Sequence, residues 1–262
     1  MLTILFIGDI VGHGGREAAK QLIPALRKEL SIDFCIANGE NMAGGNGMTK
    51  PLLLEFSPGS VDVFTSGDHV WDQKEFPGQI DSMPNVLRPA NLPEQQPGKG
   101  WSLYMASDGA QVGVINLLGR TFIGLPSNDP FAAAEKAVAE LREHTPIILV
   151  DFHAEATSEK IAMGRFLDGR VSAVFGTHTH VATADTQIFP GGTAFQCDAG
   201  MVGSRDSVLG RDIAPVITRF TTGMPARFTV NENAITLHGI LVTIDPANGH
   251  ATAVERIERD FS

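Results

Sequence analysis

The sequence predicts an α/β fold in which two mixed β-sheets pack face to face and helices flank them on the outside. In the first half of the chain, short apolar runs alternate with helical patterns, which is typical of β-α-β winding. From Gln187 onward, short strand patterns alternate with turns that contain Gly, Pro and Asn, which indicates antiparallel pairing. A chain of 262 residues can bury a sizeable core, and we predict a single domain over residues 1–262.

Hydrophobic periodicity sets the order of elements in the first half. Ala18, Leu22 and Leu26 recur near a helical period, so a helix is predicted over residues 16–30. Further helices are predicted over residues 50–56, 130–144 and 156–167. Strands are predicted at residues 2–7, 34–37, 61–65, 101–105, 111–116, 147–150 and 170–175. The fourth and fifth of these strands form a hairpin, since a Ser-Asp-Gly turn separates them.

The second half of the chain is mostly β. Strands are predicted at residues 186–189, 193–196, 227–230, 234–244 and 251–258. Residues 203–223 mix helix and loop signals, and the sequence pattern leaves them unassigned. A β-α-β first half and an antiparallel second half are together consistent with two packed sheets that have helices on their outer faces.

The charge of the chain limits the classes of partner. Twenty Lys and Arg residues against 30 Asp and Glu residues give a formal net charge of −10. Proteins that hold long nucleic acids need a basic face, so stable binding of long nucleic acid is not expected. A small phosphorylated substrate stays possible, because a bound metal ion supplies positive charge locally.

The apolar segments predict a protein without a membrane partner. No window approaches the ~20 apolar residues that a membrane span needs. Residues 2–7 have no basic flank and run into Gly8-Asp9, so they predict a core strand and not a signal peptide. Cys35 and Cys197 lie within apolar runs, which predicts buried free thiols and a cytoplasmic location. A homo-oligomer is possible.

Polar side chains with metal-binding chemistry follow one predicted strand after another. They are Asp9, Glu40, Asn41, Asp68, His69, His153, His178 and His180. The carboxyl ends of strands in a wound sheet meet at one edge, so these side chains can share one cleft. Oxygen and imidazole ligands without a thiolate suit Mn, Fe or Zn, and two ions about 3.5–4 Å apart would use this number of ligands.

The pair His178 and His180 is the most conspicuous of these motifs. If the backbone stays extended, the two imidazoles project to the same side, because the strand repeat is two residues. One His-x-His pair is a weak signal. Each residue also has a structural alternative, such as a helix cap for Asp9 or Asp68 and a packed side chain for His153. The occurrence of all the motifs in one order favours a metal centre.

The motifs resemble those of a known superfamily, the calcineurin-like metallophosphoesterases, and within it the YmdB-type bacterial phosphodiesterases. The matching segments are Gly8-Asp9-Ile10-Val11-Gly12, Gly39-Glu40-Asn41, Asn116-Leu117-Leu118-Gly119-Arg120, Asp151-Phe152-His153-Ala154-Glu155-Ala156-Thr157 and Gly176-Thr177-His178-Thr179-His180-Val181. The resemblance covers nearly the whole chain. It implies a four-layer α/β/β/α sandwich with a two-metal site, in which Fe or Mn is expected and Zn is possible.

The resemblance also implies which residues hold each ion. One ion would be held by Asp9, Glu40, Asn41 and His180. The other would be held by Glu40, Asp68, His153 and His178, so that Glu40 bridges the two. Val11 stands where the superfamily has its first histidine, and the amide oxygen of Asn41 would fill that place.

The implied activity is hydrolysis of small phosphodiesters such as 2′,3′- or 3′,5′-cyclic nucleotides, through a hydroxide that bridges the two metals. His69 would face the substrate without binding metal, and it is the expected general acid because imidazole titrates near the working pH. Substrate-binding residues are not identified; Arg88 and Asn91 lie in a family-like loop and could contact phosphate. Asp185 and Asp198 could orient a ligand imidazole or serve the structure alone.

One residue departs from the superfamily pattern. Gly67-Asp68-His69 stands where the superfamily motif reads Gly-Asn-His, so a third carboxylate joins Asp9 and Glu40. The extra charge would tighten one metal and weaken its Lewis acidity. Two alternatives to a phosphodiesterase therefore stay open: a weakly active or non-catalytic regulatory or binding protein with an altered metal site, and a phosphomonoesterase.

Overall fold

The computed structural model describes residues 1–261, which form thirteen strands and five α-helices. The strands are β1 Leu2–Ile7, β2 Asp9–Ile10, β3 Phe34–Asn38, β4 Val63–Thr65, β5 Trp101–Met105, β6 Gln111–Leu118, β7 Ile148–His153, β8 Ala173–Thr177, β9 Gln187–Ile188, β10 Ala194–Gln196, β11 Met201–Ser204, β12 Ile235–Ile244 and β13 Ala251–Asp260. The helices are α1 Gly12–Glu29, α2 Lys50–Leu53, α3 Pro130–Arg142, α4 Thr157–Phe166 and α5 Ile213–Thr222. Within residues 1–261, none of the helices has the length and apolar character that crossing a bilayer requires.

The strands form two mixed sheets, as predicted. The seven-stranded sheet has the order β2-β11-β12-β1-β3-β4, with β13 paired to β12, and the six-stranded sheet has the order β5-β6-β7-β8-β10-β9. β1, β3 and β4 are parallel, whereas β1, β11 and β13 each pair antiparallel with β12. The pairing of β1 with β12 joins the two ends of the chain and supports one domain over residues 1–262. That boundary stays a prediction, and residue 262 lies outside the described part.

Three apolar clusters show how the layers pack. In β1, Leu5 and Ile7 belong to the cluster under α1, while Leu2, Ile4 and Phe6 belong to the cluster between the sheets. This division follows the two-residue repeat of a strand that is buried on both faces. A third cluster joins the six-stranded sheet to α3 and α4. The layers are therefore α/β/β/α, and the fold prediction is confirmed.

Several element boundaries differ from the predicted ones. α1 begins at Gly12 and not at residue 16, because the glycine-rich turn after β2 is itself the first turn of the helix. β7 and β8 end three and two residues later than predicted, so that Asp151 and His153 lie within a strand. The smaller shifts at the other elements affect one to three residues at an end.

The region around residues 201–230 departs most from prediction. The strand predicted at residues 227–230 is wrong: only an isolated bridge between Arg211 and Val230 forms there. Residues 203–223, which the pattern left unassigned, contain the end of β11 and the helix α5. Ile213, Val216, Ile217 and Phe220 of α5 follow a helical period, but only Val216 of this helix is buried, so its apolar face is not packed on the core.

The two cysteines are free and buried, as predicted. Burial raises the pKa of both thiols, that of Cys197 to about 11. Both thiols are therefore protonated at neutral pH and act as small apolar side chains.

A buried ion pair fixes the turn that follows β8. Lys160 and Asp198 are each at most 1% exposed, and Lys160 Nζ lies 2.8 Å from Asp198 Oδ2. Lys160 also donates to the carbonyl of Thr177, while Asp198 accepts from the backbone N–H and the hydroxyl of Thr179. The pair thus holds the residues on both sides of His178.

We predict that Lys160→Met destabilises the protein by about 3–5 kcal/mol, because it leaves the Asp198 carboxylate buried without its cation. Urea unfolding measures the loss. The matched control is Lys28→Met, which removes a lysine from the exposed face of α1 and should change stability by less than about 0.5 kcal/mol. Equal stability of the two variants would contradict the role assigned to the pair.

Candidate metal centre

The carboxyl ends of strands from both sheets meet at one edge of the sandwich. Asp9 begins β2, two residues after the end of β1, while Glu40 and Asn41 follow β3 and Asp68 follows β4; these strands all belong to the seven-stranded sheet. His153 ends β7, and His178 and His180 follow β8 of the six-stranded sheet. One ligand atom each from Glu40, Asp68, His153 and His178 lie within 4.8 Å of one another. The structure therefore brings these four predicted residues into one group.

His153 stands at the middle of this group. Its Nε2 lies 3.1 Å from Glu40 Oε1, 3.1 Å from Asp68 Oδ1 and 3.0 Å from His178 Nδ1. Its Nδ1 lies 2.9 Å from the hydroxyl of Thr177. Because that hydroxyl donates to a neighbouring carboxylate, it accepts the proton of Nδ1 and leaves the Nε2 lone pair for a cation.

Asp151 is the carboxylate behind Thr177, and it also ties the two sheets together. Asp151 Oδ1 accepts from the Thr177 hydroxyl at 2.7 Å. Its Oδ2 accepts from Asn38 at 3.0 Å and from the hydroxyl of Thr65, both of which belong to the opposite sheet. This fully buried network holds the His153 imidazole in one orientation relative to the carboxylates of the other sheet.

Asp9 carries the clearest sign that the site is built for a cation. The side chain is completely buried, and Asp9 Oδ1 has no hydrogen-bond partner. The other oxygen, Oδ2, accepts from the backbone N–H of His178 at 3.1 Å. A buried carboxylate oxygen without a partner is costly, and a metal ion beside it removes that cost. The donor set thus fits a metal.

His180 and Asn41 lie next to each other on the same side of the site. His180 Nε2 is 3.1 Å from Asn41 Oδ1, and His180 Nδ1 is 3.1 Å from the carbonyl of Leu209. Since the Leu209 carbonyl accepts the Nδ1 proton, Nε2 keeps its lone pair. Asn41 donates its amide N–H to Gly45, which turns its Oδ1 toward His180. Burial lowers the pKa of His180, so the ring is neutral and able to bind metal.

The extended backbone that would give His178 and His180 a common orientation does not form. β8 ends at Thr177, and the backbone then turns, with φ of +98° at His178 and +62° at His180. Both values lie in the left-handed region, which side chains other than glycine seldom adopt and which is common at functional sites. As a result His178 lies beside Asp68 and His153, while His180 lies beside Asn41.

Burial and charge set the protonation of the site. Burial, reinforced by the nearby Glu40 carboxylate, raises the pKa of Asp9 well above its usual value. For His153, burial alone would lower the pKa, but Glu40, Asp68 and Asp9 outweigh it and raise the pKa well above the usual value. A divalent cation competes with these protons for the same atoms, so metal binding at neutral pH releases protons.

The pKa of Asp68 is shifted downward, in contrast to that of Asp9. Burial alone would raise its pKa, but hydrogen bonds from His153 and His178 lower it far below the usual value. The Asp68 carboxylate is therefore ionised. Asp68 offers a ligand atom to the group of four, so the aspartate at this position still contributes a metal donor.

Gly67 permits this close arrangement. A Cβ on residue 67 would overlap both Glu40 Oε2 and the His153 ring, and both of these side chains are buried. The glycine before Asp68 is therefore required by the approach of the backbone to two ligand side chains, and not by the turn.

His69 lies at the exposed border of the centre. Its Nδ1 is 2.8 Å from Asp72 Oδ2 and 3.3 Å from Asn46 Nδ2, and its backbone N–H donates to Glu40 Oε2. Because the neighbours of the ring lie at Nδ1, Nε2 is the nitrogen available to a bound molecule. Its position outside the group of four suits a histidine that meets the substrate.

Three residues at the site were not predicted. Glu155 lies 3.1 Å from His178 Nε2, Asp72 pairs with His69, and Asn46 contacts both His69 and Asp72. Glu155 stands inside a recognised motif, two residues after His153, and Asp72 stands three residues after His69. Those spacings were the available signals.

Other residues considered from the sequence lie elsewhere or serve the structure. Arg88 donates to the carbonyls of Pro89 and Pro97, and Asn91 to those of Leu118 and Asn128. Both line a separate cavity of about 620 Å³, so the structure does not place them at the metal centre. Asp198 supports the turn after β8 and Asp185 accepts from the backbone of Cys197, so neither orients a ligand imidazole.

A cavity of about 370 Å³ opens directly over the centre. Its lining includes polar residues at and around the centre: Glu40, Asn41, His69, Glu155, His178, Thr179 and His180. It also includes six residues that are mostly apolar: Val208, Leu209, Arg211, Val216, Phe220 and Phe228. A molecule in this cavity therefore meets both ionisable groups and apolar side chains.

Known proteins resemble this chain in sequence and in structure. It is 48% identical to the 2′,3′-cyclic-nucleotide 2′-phosphodiesterase of Bacillus subtilis strain 168, over 98% of this chain and 96% of that protein. The crystal structure of a novel phosphatase from Mycoplasma pneumoniae superimposes with a TM-score of 0.90 at 30% identity, covering 99% and 93% of the two chains.

A more distant structure shows the fold alone. The calcineurin-like phosphoesterase YfkN from Bacillus subtilis superimposes with a TM-score of 0.59 at 14% identity, covering 99% of this chain and 90% of that one. The sequence profile of the family described as YmdB-like protein matches residues 5–257. The fold is therefore that of the calcineurin-like phosphoesterases, and the chain belongs to the YmdB-like family.

Proposed function

We propose that this protein is a metal-dependent phosphodiesterase that hydrolyses 2′,3′-cyclic nucleotides. The observation that carries the proposal is the convergence of Glu40, Asp68, His153 and His178 beside the unpartnered Asp9 oxygen. The substrate class is supported by the Bacillus subtilis relative, which is named for hydrolysis of 2′,3′-cyclic nucleotides. A 3′,5′-cyclic nucleotide is the competing substrate.

The site holds two metal ions in this proposal. Glu40, Asp68, His153 and His178 would hold one ion, and Asp9, Glu40, Asn41 and His180 would hold the other. Oxygen and imidazole donors without a thiolate suit Fe or Mn, and also Zn. Three carboxylates against two divalent ions leave net positive charge at the centre, which favours a phosphate group.

The chain's own residues divide the remaining work. When bound, the ions polarise phosphoryl oxygens and activate water near neutral pH. His69 donates a proton to the leaving oxygen of the ester from Nε2, while Asp72 holds the ring through Nδ1. The low-pKa carboxylate of Asp68 stays ionised and keeps His178 and His153 directed at its ion.

A phosphomonoesterase is the second candidate, because the structural relative from Mycoplasma pneumoniae is described as a phosphatase. A non-catalytic binding protein is less well supported, since Asp68 completes the group of donors. The net charge of −10 disfavours long nucleic acid as a partner. A cytoplasmic location and a homo-oligomer stay predictions.

The direct test is hydrolysis by Mn²⁺-loaded protein of 2′,3′-cyclic AMP, 3′,5′-cyclic AMP and p-nitrophenyl phosphate. The proposal predicts turnover of 2′,3′-cyclic AMP that chelation abolishes and Mn²⁺ restores. Turnover of the monoester alone would establish the phosphatase alternative. Tight metal binding without turnover of any of the three would establish the binding protein.

We predict that His69→Ala lowers turnover of 2′,3′-cyclic AMP by about 10²–10⁴-fold while both metals stay bound. Bis-p-nitrophenyl phosphate should lose much less activity, because nitrophenolate leaves without a proton. Kinetics and metal analysis of the variant measure both effects. His144→Ala, at an exposed position, is the control. Loss of a metal in the His69 variant would reassign His69 as a ligand.

We predict that Asp68→Asn raises turnover by up to about tenfold, which corresponds to ~1.4 kcal/mol, or shifts the preferred metal. Removing one carboxylate charge increases the Lewis acidity of the ion beside His153 and His178. Turnover and metal content are measured with Mn²⁺, Fe²⁺ and Zn²⁺. Asp206→Asn, at an exposed position, is the matched control. Unchanged turnover and metal content would show that the charge of Asp68 has no part in the site.

A further inference from the structure

α5 differs from the other long helices in how little of it is buried. Val216 is its one buried residue, while Ile217 is 52% exposed and Phe220 is 83% exposed. After the helix ends at Gly223, Phe228 is also 40% exposed. Leaving several large apolar side chains in water on one segment is unfavourable, and such groups are typical of sites that bind another molecule.

The exposed aromatic side chains border the cavity over the metal centre. Phe220 and Phe228 line the same cavity as His69, His178 and His180. Its volume of about 370 Å³ lies in the range of about 300–1,000 Å³ that is usual for small-molecule sites. One cavity thus combines groups for a phosphate with two exposed aromatic side chains.

Residues just before α5 are hydrogen-bonded to residues at the metal centre. The carbonyl of Leu209 accepts from His180 Nδ1, and Arg211 Nη2 donates to the carbonyl of Gly45 and to Asn46 Oδ1. Asn46 in turn contacts His69. The chain just before α5 is therefore tied to residues of the metal centre, and the helix that carries Phe220 begins two residues after Arg211.

We infer that Phe220 and Phe228 form the subsite for the base of a nucleotide substrate. A small phosphomonoester or a base-free sugar phosphate has nothing to place against these rings, whereas a nucleobase is flat and apolar on both faces. Any nucleobase can stack on an aromatic ring, so we expect Phe220 and Phe228 to discriminate little between purines and pyrimidines. The inference rests on the proposed function, because it assigns the far end of the substrate whose ester is cleaved at the metals.

The test compares 2′,3′-cyclic AMP with methyl riboside 2,3-cyclic phosphate, which has the same reacting ester and no base. For the wild-type protein we expect kcat/KM at least about fivefold higher with the nucleotide. Phe220→Ala should raise KM for the nucleotide at least about fivefold with little change in kcat, and should leave the base-free diester unaffected. Phe220→Trp, which keeps an aromatic ring at this position, should have a KM for the nucleotide close to that of the wild-type protein.

Ile217→Ala is the matched control, because Ile217 is exposed on the same helix and does not line the cavity. It should change neither substrate. If Phe220→Ala affects both diesters alike, the subsite is wrong. If Phe220→Ala and Ile217→Ala instead dissociate an oligomer in light scattering, with no substrate difference, the helix face is an interface between copies and the inference fails.

A binding measurement separates this inference from the proposed function. Calorimetry of Mn²⁺-loaded protein compares adenosine 3′-monophosphate with ribose 3-phosphate. Tighter binding of the nucleotide, lost in Phe220→Ala, supports the base subsite even if neither cyclic diester is hydrolysed. Equal affinity for the two ligands overturns the base subsite, even if the protein proves to be a phosphodiesterase.

Discussion

The structure places three carboxylates, Asp9, Glu40 and Asp68, close together where they are largely shielded from water. Concentrated buried negative charge is unfavourable unless positive charge lies within reach, and here that charge comes from imidazoles and, in our proposal, from two metal ions. The unpartnered oxygen of Asp9 shows that protein groups alone do not complete the balance. Much of the surrounding structure follows from this requirement.

The two sheets are joined at this edge by polar contacts rather than apolar packing. Asn38 reaches across to Asp151, and the backbone and side chain of Ser66 exchange hydrogen bonds with the side chain of Asn116. These buried bonds set the distance between ligands that come from different sheets. The same need for close approach explains the glycine at position 67 and the strained backbone at His178. The site is a property of the packing of both sheets.

The sequence was sufficient for the two sheets and for the convergence of Glu40, Asp68, His153 and His178, because strand ends in a wound sheet converge whatever the details of the turns. It was insufficient for the direction of His178 and His180, which depends on positive φ values that tertiary contacts impose. It also left α5 unassigned, because residues 203–223 mix helix and loop signals even though Ile213, Val216 and Phe220 recur near a helical period. Asp72 and Glu155 were missed because charged residues near motifs are common and their pairing depends on geometry.

Anomalous diffraction from crystals of Mn²⁺-loaded protein shows directly whether the centre holds two ions that share Glu40. We expect two peaks. One should lie among Glu40, Asp68, His153 and His178, and the other should contact Asp9 Oδ1, Asn41 and His180, with Glu40 between them. A single peak, or a second peak that leaves Asp9 Oδ1 without a contact, would contradict the two-ion centre.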